Sequence, residues 1–370
     1  MENKTTWIDF DILENFMKDV LVKLDVPEKD AAVVADVLIN ADKRGIDSHG
    51  IGRFKPIYVD RINDGILNVK TKIDTVRESP TTAVLDGNDG IGHVISKKAM
   101  DIAIDKAKKY GMGMVVVRNS SHYGFAGYYP LMAAQENMIG ITGTNARPSI
   151  APTFGVENML GTNPLTFGIP TDEEFPFLLD CATSISQRGK IEKLSREGKP
   201  TPEGWVIGRD GSARTDTDQI LIDLVKGDAA LSPLGGIGEK LGGYKGYGYA
   251  TIVEILSSAL QGGIFLKALS GYSSEGKKQP YHLGHFFIVI NIENFIDPED
   301  FKKTTGDILR DLRNSKKMPG ADKIYTAGEK EYFAWKEREN KGAPLNKVLR
   351  EQLIELRDTY SLKEYKFDFE

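Results

Sequence analysis

The sequence is poor in cysteine and has no long apolar run. Its one cysteine, Cys181, excludes an intrachain disulfide and suits a reducing compartment. No apolar stretch approaches the roughly 18 residues that a membrane span needs. After residues 1–4 the chain enters an acidic amphipathic segment instead of a basic start with an apolar core, so no secretory signal is predicted. These absences predict a cytoplasmic protein without a membrane partner.

An excess of basic charge is also missing. The 48 Lys and Arg residues and the 53 Asp and Glu residues leave a net charge of −5, with both signs interspersed. This balance predicts neither a nucleic-acid surface nor a polybasic membrane patch. The 370 residues, 40% hydrophobic and 27% charged, are ordinary for a globular protein and long enough for about two domains.

Several nucleotide-binding and hydrolase motifs are absent too. A Rossmann fingerprint needs glycines in Gly-x-Gly-x-x-Gly spacing, and three Gly-x-Gly pairs have Val116, Leu241 and Thr251 where the third glycine belongs. The chain also lacks a Walker P-loop and a Gly-x-Ser-x-Gly nucleophile elbow. A nicotinamide cofactor, if one binds, therefore does not bind in the usual Rossmann manner.

Hydrophobic spacing predicts a helical start and a layered middle. Apolar residues recur at helical spacing over Trp7–Leu24 and Ala31–Ala41, and Gly45 is suited to end the second helix. A strand, helix, strand alternation over residues 81–117 indicates an α/β layer. Residues 193–235 are richer in Pro, Gly, Asp and Lys, which predicts a surface excursion with little regular structure.

The stretch from Arg44 to Arg53 combines groups suited to a small carboxylate. His49 can move a proton near neutral pH, and Arg53 offers a planar guanidinium four residues later. Glycines in this stretch let the backbone approach a ligand. The alternative is that Gly45 only ends a helix and that His49 and Arg53 lie on its surface. The local sequence does not decide between the two.

A second histidine follows a predicted strand. His122 comes soon after the β-forming run Met114–Val117, in a polar loop that contains Gly124. Ligands of open α/β sheets collect beyond the carboxyl ends of strands, so His122 lies where a site is expected. Proton transfer by His49 or His122 is therefore the candidate chemistry.

Three further candidates have alternative explanations. The glycine-rich segment 242–248 with Lys245 could hold a phosphate through backbone donors, or it could be a tight turn before a helix. His282 and His285 have a spacing that a metal could use on a helix, but the apolar residues that follow indicate a strand, and no metal site is predicted. Cys181 has no adjacent base, so a small buried side chain is expected.

Six short motifs occur in one order along nearly the whole chain, from about Asp9 to Arg357. Together they resemble the malate/L-lactate dehydrogenase family, which also holds sulfolactate dehydrogenase, ureidoglycolate dehydrogenase and 2,3-diketogulonate reductase. Each motif alone is weak, whereas six in register are specific. The motifs are Asp47-Ser48-His49-Gly50 with Arg53, Ser121-His122-Tyr123-Gly124, Gly161-Thr162-Asn163-Pro164, Leu179-Asp180-Cys181-Ala182-Thr183-Ser184, Gly243-Tyr244-Lys245-Gly246-Tyr247-Gly248 and Pro319-Gly320.

The resemblance implies an NAD(P)-dependent oxidoreductase, commonly a homodimer with its active site between domains. The implied fold is α/β, with a mixed-sheet, non-Rossmann cofactor-binding domain at residues 76–299. A largely helical domain, built from residues 1–75 and 300–370, is expected to pack against it and to contribute to the substrate site. The missing Rossmann fingerprint agrees with this family.

The resemblance also implies the site residues. The acid/base histidine of relatives matches His49 in some assignments and His122 in others. We expect Arg53 to hold the substrate carboxylate through a bidentate contact, with Ser48 and Asn163 as further substrate contacts. The cofactor contacts that carry over from the family are Leu178, Leu179, Asp180, Cys181, Ala182, Thr183, Ser184, Tyr244, Lys245, Gly320, Ala321 and Asp322.

The sequence thus predicts hydride transfer between NAD or NADP and a small 2-hydroxy or 2-oxo acid of the malate, lactate or sulfolactate type. One alternative is a reductase of a cyclic imine or a diketo sugar acid. Another is a non-catalytic protein that binds a nucleotide or metabolite. Arg188 lies close in sequence to the predicted cofactor contacts at residues 178–184. Its guanidinium either contacts a phosphate of the cofactor or faces solvent.

Overall fold

A computed structural model describes residues 5–370 of the chain. The strands are β1 (Thr6–Ile8), β2 (Asp74–Glu78), β3 (Thr82–Asp86), β4 (Met112–Ser120), β5 (Met138–Thr144), β6 (Leu165–Ile169), β7 (Phe177–Cys181), β8 (Val206–Gly208), β9 (Ala229–Leu231), β10 (Leu283–Asn291) and β11 (Ala343–Leu345). The helices are α1 (Phe10–Lys23), α2 (Glu28–Lys43), α3 (Ile51–Arg53), α4 (Asp60–Asn63), α5 (Gly92–Tyr110), α6 (Tyr128–Gln135), α7 (Arg188–Arg196), α8 (Thr217–Lys226), α9 (Gly243–Leu256), α10 (Pro298–Asn314), α11 (Glu329–Arg338) and α12 (Lys347–Thr359). A π-helical turn, Phe54–Val59, joins α3 to α4.

A seven-stranded mixed sheet lies at the centre, in the order β2-β3-β4-β10-β5-β6-β7. Only β3 and β4 pair in parallel, and they are joined by α5, as the strand, helix, strand pattern predicts. Strand β10 pairs antiparallel with both β4 and β5, and β6 pairs antiparallel with both β5 and β7. The carboxyl ends of β3, β4, β5 and β7 therefore lie at the same edge of the sheet. The loops that follow these strands meet there.

The strand β10 is the buried centre of this sheet. Its apolar run includes Phe287 and Val289, both with no exposed surface, because strands on both sides and helix α5 cover it. They pack with Ala99, Ala103 and Val115 from α5 and β4. The predicted strand after His285 is confirmed.

A second core lies among the helices at the two ends of the chain. Phe16 and Val20 of α1 and Val34 and Leu38 of α2 are completely buried, at the helical spacing of the sequence. Residues of β11 and α12 complete the same cluster, so the last part of the chain packs on the first. Helix α10 instead packs near the sheet edge, where Arg310 pairs with Asp172. The proposed division into 1–75 with 300–370 and 76–299 stays a prediction.

The prediction of an irregular excursion at 193–235 is wrong. The segment contains α7, α8, β8 and β9, and it has its own small core around Ile191, Val206, Ile220 and Leu231. Turn-forming residues dominate the composition and hide these short elements.

The glycine-rich segment 242–248 is the start of helix α9 and not a loop. A Cβ at Gly243 would lie 2.0 Å from the carbonyl oxygen of Gly236, and one at Gly246 would lie 2.2 Å from that of Leu234. These glycines let the helix begin in close contact with the preceding segment. Lys245 points into solvent.

Of the helices in residues 5–370, none combines the length and the apolar character that crossing a membrane would require.

Candidate active site

The loop that carries His49 is fixed by a buried carboxylate on helix α2. Asp42 is 1% exposed and accepts the N–H of Ile51 at 2.8 Å. A Cβ at Gly50 would lie 2.0 Å from Oδ1 of Asp42, so only glycine fits between them. Burial raises the pKa of Asp42 to about 8, against the opposing effect of the Ile51 N–H. His49, directly before Gly50, is thereby held against the end of α2.

Ser48 connects the two charged candidates of this loop. Its Oγ lies 2.9 Å from Nδ1 of His49, and its carbonyl accepts from Nε of Arg53 at 2.7 Å. The hydrogen bond to the Ser48 carbonyl holds the guanidinium of Arg53 through its Nε atom. The two outer nitrogens of Arg53 stay available for a ligand.

A cavity of about 490 Å³ lies between this loop and the edge of the sheet. Its walls come from the ends of β4, β5 and β7 and from the loop after α2. We call it the histidine cleft. The lining residues include Ser48, His49, His122, Asn145, Leu178, Asp180, Ala182, Gln187, Lys190 and Glu331.

A second cavity of about 280 Å³ adjoins the histidine cleft and shares His49 and His122 with it. It is also lined by Arg53, Arg147 and Arg188, and we call it the arginine pocket. The two imidazoles therefore stand between a space of cofactor-like size and a smaller space with positive walls.

The two imidazoles are stacked, with ring centroids 5.9 Å apart and planes 14° apart. Burial, with the nearby charge of Arg53, lowers the pKa of His49 to about 4. Burial, then His49 and the charge of Arg61, lowers the pKa of His122 well below its usual range. Both rings are therefore neutral at pH 7, and a neutral imidazole can accept a proton.

The predicted cofactor stretch alternates between two sides of strand β7. Leu178 and Asp180 face the histidine cleft, and Ala182 follows at its wall. Leu179 and Cys181 lie on the opposite face, because successive side chains of a strand point to opposite sides. The thiol of Cys181 approaches the carbonyl of Leu165 at 3.8 Å, and burial raises its pKa.

The next two residues of the stretch are buried and support the cleft from behind. Thr183 donates its hydroxyl to the carbonyl of Asn163 at 2.9 Å, and Ser184 donates to that of Ser186 at 2.8 Å. Asn163 has no exposed surface, and its amide donates to Glu254 at 2.9 Å. The structure does not bring Asn163 to the histidine cleft or to the arginine pocket.

Other predicted cofactor contacts also lie away from both cavities. Tyr244 is 49% exposed in the first turn of α9, beside Lys245. Residues 320–322 form part of the loop between α10 and α11. Neither group lines the histidine cleft or the arginine pocket.

Two of the remaining histidines, His282 and His285, have polar partners. His285, completely buried in β10, lies 2.7 Å from the hydroxyl of Thr144 and 2.8 Å from that of Ser120. His282 pairs with Asp89 at 2.6 Å. Within residues 5–370, His, Cys, Asp and Glu side chains form no group of three or more that could hold a metal ion.

Sequence reasoning missed three residues of the site. Tyr58, from the π-helical turn, reaches Nδ1 of His122 at 2.6 Å. Asn145 and Arg147 follow β5 as His122 follows β4, and this shared position after a strand was the available signal. Residues Ile57, Tyr58, Ile62 and Leu67 have helical spacing, which predicts a regular helix with Tyr58 on its apolar face and gives no sign of the π turn.

A model of the malate/L-lactate dehydrogenase family matches residues 8–354 of the chain. Malate dehydrogenase of Pyrococcus horikoshii is 46% identical over 346 residues, which cover 94% of this chain and 93% of that protein. L-sulfolactate dehydrogenase of Methanocaldococcus jannaschii is 40% identical over 341 residues, covering 91% and 92%. The crystal structure of malate dehydrogenase from Entamoeba histolytica has a TM-score of 0.94 and 49% identity, covering 99% of this chain and 100% of that one.

The fold and these relatives are thus those of a nicotinamide-dependent 2-hydroxy acid dehydrogenase. The chain belongs to the malate/L-lactate dehydrogenase family. The family and the fold class inferred from the six motifs are confirmed.

Replacing Gly50 by Ala is expected to lower turnover by about a hundredfold, the scale for a catalytic group displaced by about 1 Å. The added methyl group overlaps the carboxylate of Asp42 and pushes the His49 loop away. Steady-state kinetics, with circular dichroism to verify folding, measures the effect. In the matched control Gly52→Ala the Cβ would lie 3.4 Å from the Asp47 carbonyl, an ordinary contact, and most activity should remain. A folded Gly50→Ala protein with normal turnover would show that the contact between Gly50 and Asp42 does not hold His49 in its working position.

Proposed function

We propose that the chain interconverts a small 2-hydroxy acid with a second acidic group, such as malate or sulfolactate, and its 2-oxo acid. The observation that carries this proposal is the arginine pocket, where Arg53 and Arg147 line a space next to both imidazoles. Arg188 also lines this pocket, but its guanidinium pairs with Glu192 at 2.9 Å. One guanidinium suffices for a monocarboxylate. Additional positive charge favours a second carboxylate or a sulfonate. The names of the relatives, malate and sulfolactate dehydrogenases, support the same substrates.

The histidine cleft fits the nicotinamide end of the cofactor. Its volume of about 490 Å³ is within the range of ligand sites, and small or apolar residues such as Leu178 and Ala182 give it flat walls. Asp180 and Lys190 supply a polar acceptor and a positive charge at the rim. The bound nicotinamide supplies or takes the hydride.

Other residues of the family pattern remain proposed contacts for the part of the cofactor outside the cleft. These residues are Leu179, Cys181, Thr183, Ser184, Tyr244, Lys245, Gly320, Ala321 and Asp322.

In this proposal Arg53 holds the carboxylate next to the reacting carbon, because its outer nitrogens match two carboxylate oxygens. Ser48 keeps both Arg53 and His49 in position. Arg147 contacts the second acidic group. In oxidation of the hydroxy acid, His49 takes the hydroxyl proton, and in reduction the protonated ring returns it.

The experiment that tests the function is a substrate panel followed by the absorbance of the reduced cofactor. Oxaloacetate, sulfopyruvate, pyruvate, a cyclic imine acid and a diketo sugar acid are each offered with NADH and with NADPH. We expect a diacid to give the highest kcat/KM. Turnover only with the imine or the sugar acid would contradict the proposal, and the same panel identifies the preferred cofactor.

The pH dependence should differ between the two directions. The pKa of His49 is lowered to about 4, so its neutral form dominates above about pH 5, and kcat/KM for oxidation should stay level from pH 5 to 8. Reduction needs the protonated form, which becomes about tenfold rarer with each pH unit above the pKa. Its kcat/KM should therefore fall as the pH rises. The variant His49→Ala should lose roughly a hundredfold or more in kcat in both directions. A reduction profile that stays level up to pH 7 would contradict the assignment.

Two arginine variants separate the two acidic groups. Arg53→Lys should lower kcat/KM about equally for oxaloacetate and pyruvate, because a point charge does not reproduce a planar fork. Arg147→Ala should lower it mainly for oxaloacetate. Cofactor affinity, measured by fluorescence titration, should change little in either variant. If Arg147→Ala lowered kcat/KM equally for oxaloacetate and pyruvate, Arg147 would not be the contact of the second acidic group.

We also propose that the chain forms a homodimer, as the resemblance implies. Helix α9 supports this, because Tyr249, Ile252 and Ile255 are about half exposed on its outer face, with Leu260 close by. Light scattering should give twice the mass of 40.9 kDa. The variant Ile252→Glu should shift the mass toward the monomer, whereas Ile222→Glu, which changes an exposed isoleucine of helix α8, should not. A monomeric mass for the unmodified protein would disprove the dimer.

A further inference from the structure

The hydroxyl of Tyr58 is aimed at one nitrogen of His122. Tyr58 is 2% exposed, and its oxygen lies 2.6 Å from Nδ1 of His122. The N–H of Gly124 lies 3.3 Å from the same nitrogen and is also close to the Tyr58 oxygen. Two hydrogen-bond donors therefore converge on this side of the imidazole.

This geometry decides where the hydrogen of the neutral ring is. A backbone N–H is a donor only, so a ring nitrogen that accepts from it carries no hydrogen of its own. If Gly124 instead donates to the phenol oxygen, the phenol hydrogen still needs an acceptor. Among the described residues, Nδ1 of His122 is the acceptor within its reach. Either arrangement places the ring hydrogen on Nε2.

The surroundings keep Tyr58 as the donor. Burial raises the pKa of Tyr58 above its ordinary value, so the phenol keeps its hydrogen. The ring of His93 packs on Tyr58 with centroids 4.7 Å apart, and neither of its nitrogens has a hydrogen-bond partner in residues 5–370. His93 therefore does not compete for the phenol hydrogen. The π turn that carries Tyr58 includes Pro56, whose missing N–H is incompatible with a regular helix ladder.

We propose that Tyr58 is a positioning residue that holds neutral His122 as its Nε2–H tautomer, so that His122 donates a hydrogen bond to the substrate oxygen and does not take its proton. The identity of that oxygen rests on the proposed function. The two histidines then have separate roles: His49 carries the proton, and His122 polarises the carbonyl and orients it. A donor aimed at the oxygen stabilises the negative charge that develops there in reduction.

The tautomer can be read directly by NMR of the ligand-free protein. The chain has five histidines, so selective ¹⁵N-histidine labelling gives a simple long-range ¹H–¹⁵N spectrum, and the variant His122→Gln assigns the His122 signals. We expect a protonated Nε2 and an unprotonated Nδ1. A protonated Nδ1 would overturn the proposal. This result does not depend on any substrate, so it is separate from a failure of the proposed function, which would show as no 2-oxo acid turnover.

The variant Tyr58→Phe removes one of the converging donors. The His122 signals should move toward a mixture of tautomers, and kcat/KM should fall about tenfold, the scale of one neutral hydrogen bond. The matched control is Tyr365→Phe, which also removes a hydrogen-bonded hydroxyl, one that donates to the carboxylate of Asp19 at 2.5 Å. It should leave the His122 signals unchanged. Unchanged signals in Tyr58→Phe would also overturn the proposal.

Side-chain replacement tests the separate roles. His122→Asn keeps an N–H donor and should lose about tenfold in kcat, whereas His122→Leu, which has none, should lose about a hundredfold. His49→Gln also keeps a donor but cannot carry a proton, so it should lose roughly a hundredfold or more. If His122→Asn is as inactive as His49→Gln, His122 moves the proton and the proposal is wrong.

Discussion

The site depends on the contact between Asp42 and the backbone at Gly50 and Ile51. A buried carboxyl group without a hydrogen-bond partner would be costly, and here the Ile51 N–H supplies a partner while a glycine without a Cβ lets the group approach the chain closely. The contact links the end of helix α2 to the start of α3. His49, directly before this contact, and the segment after it up to the π turn with Tyr58 take their positions from this point.

The opposite wall depends on strand direction. Strands β4, β5 and β7 run in the same direction. Strand β10 lies antiparallel between β4 and β5, and strand β6 lies antiparallel between β5 and β7. The loops after these strands therefore reach one edge, although they are far apart in sequence. The helical part of the chain presents His49 and Arg53 toward that edge. The site is the gap between a rigid loop and a sheet, which is a suitable place for a cofactor and a substrate to meet.

Much of this arrangement was predictable from the sequence. Helical spacing gave α1 and α2, and Gly45 ends the second of these helices with φ of 74°. The β-branched run before His122 gave a strand and a loop at the sheet edge. The order of the six motifs gave the family, which no single motif could do.

What the sequence did not reveal has physical reasons. Periodicity detects one buried face over several turns, so the short elements of residues 193–235 were missed. The cofactor contacts at residues 178–184 were carried over from the family as a block and stay a prediction, whereas strand pleating sends Asp180 and Cys181 to opposite faces. Asn163 was expected to contact the substrate because it belongs to a family motif, and that role stays a prediction; the structure shows its amide bonded to the buried Glu254. Tyr58 was hidden because its role needs a long-range contact with His122.

The most direct test of the account is a crystal structure with a reduced nicotinamide cofactor and an unreactive mimic of the 2-oxo acid, such as oxamate. The account predicts the carboxylate of the mimic on the outer nitrogens of Arg53, its other oxygen within hydrogen-bond distance of both His49 and Nε2 of His122, and the nicotinamide ring in the histidine cleft. A mimic bound away from Arg53, or a nicotinamide on the other side of the two imidazoles, would contradict it.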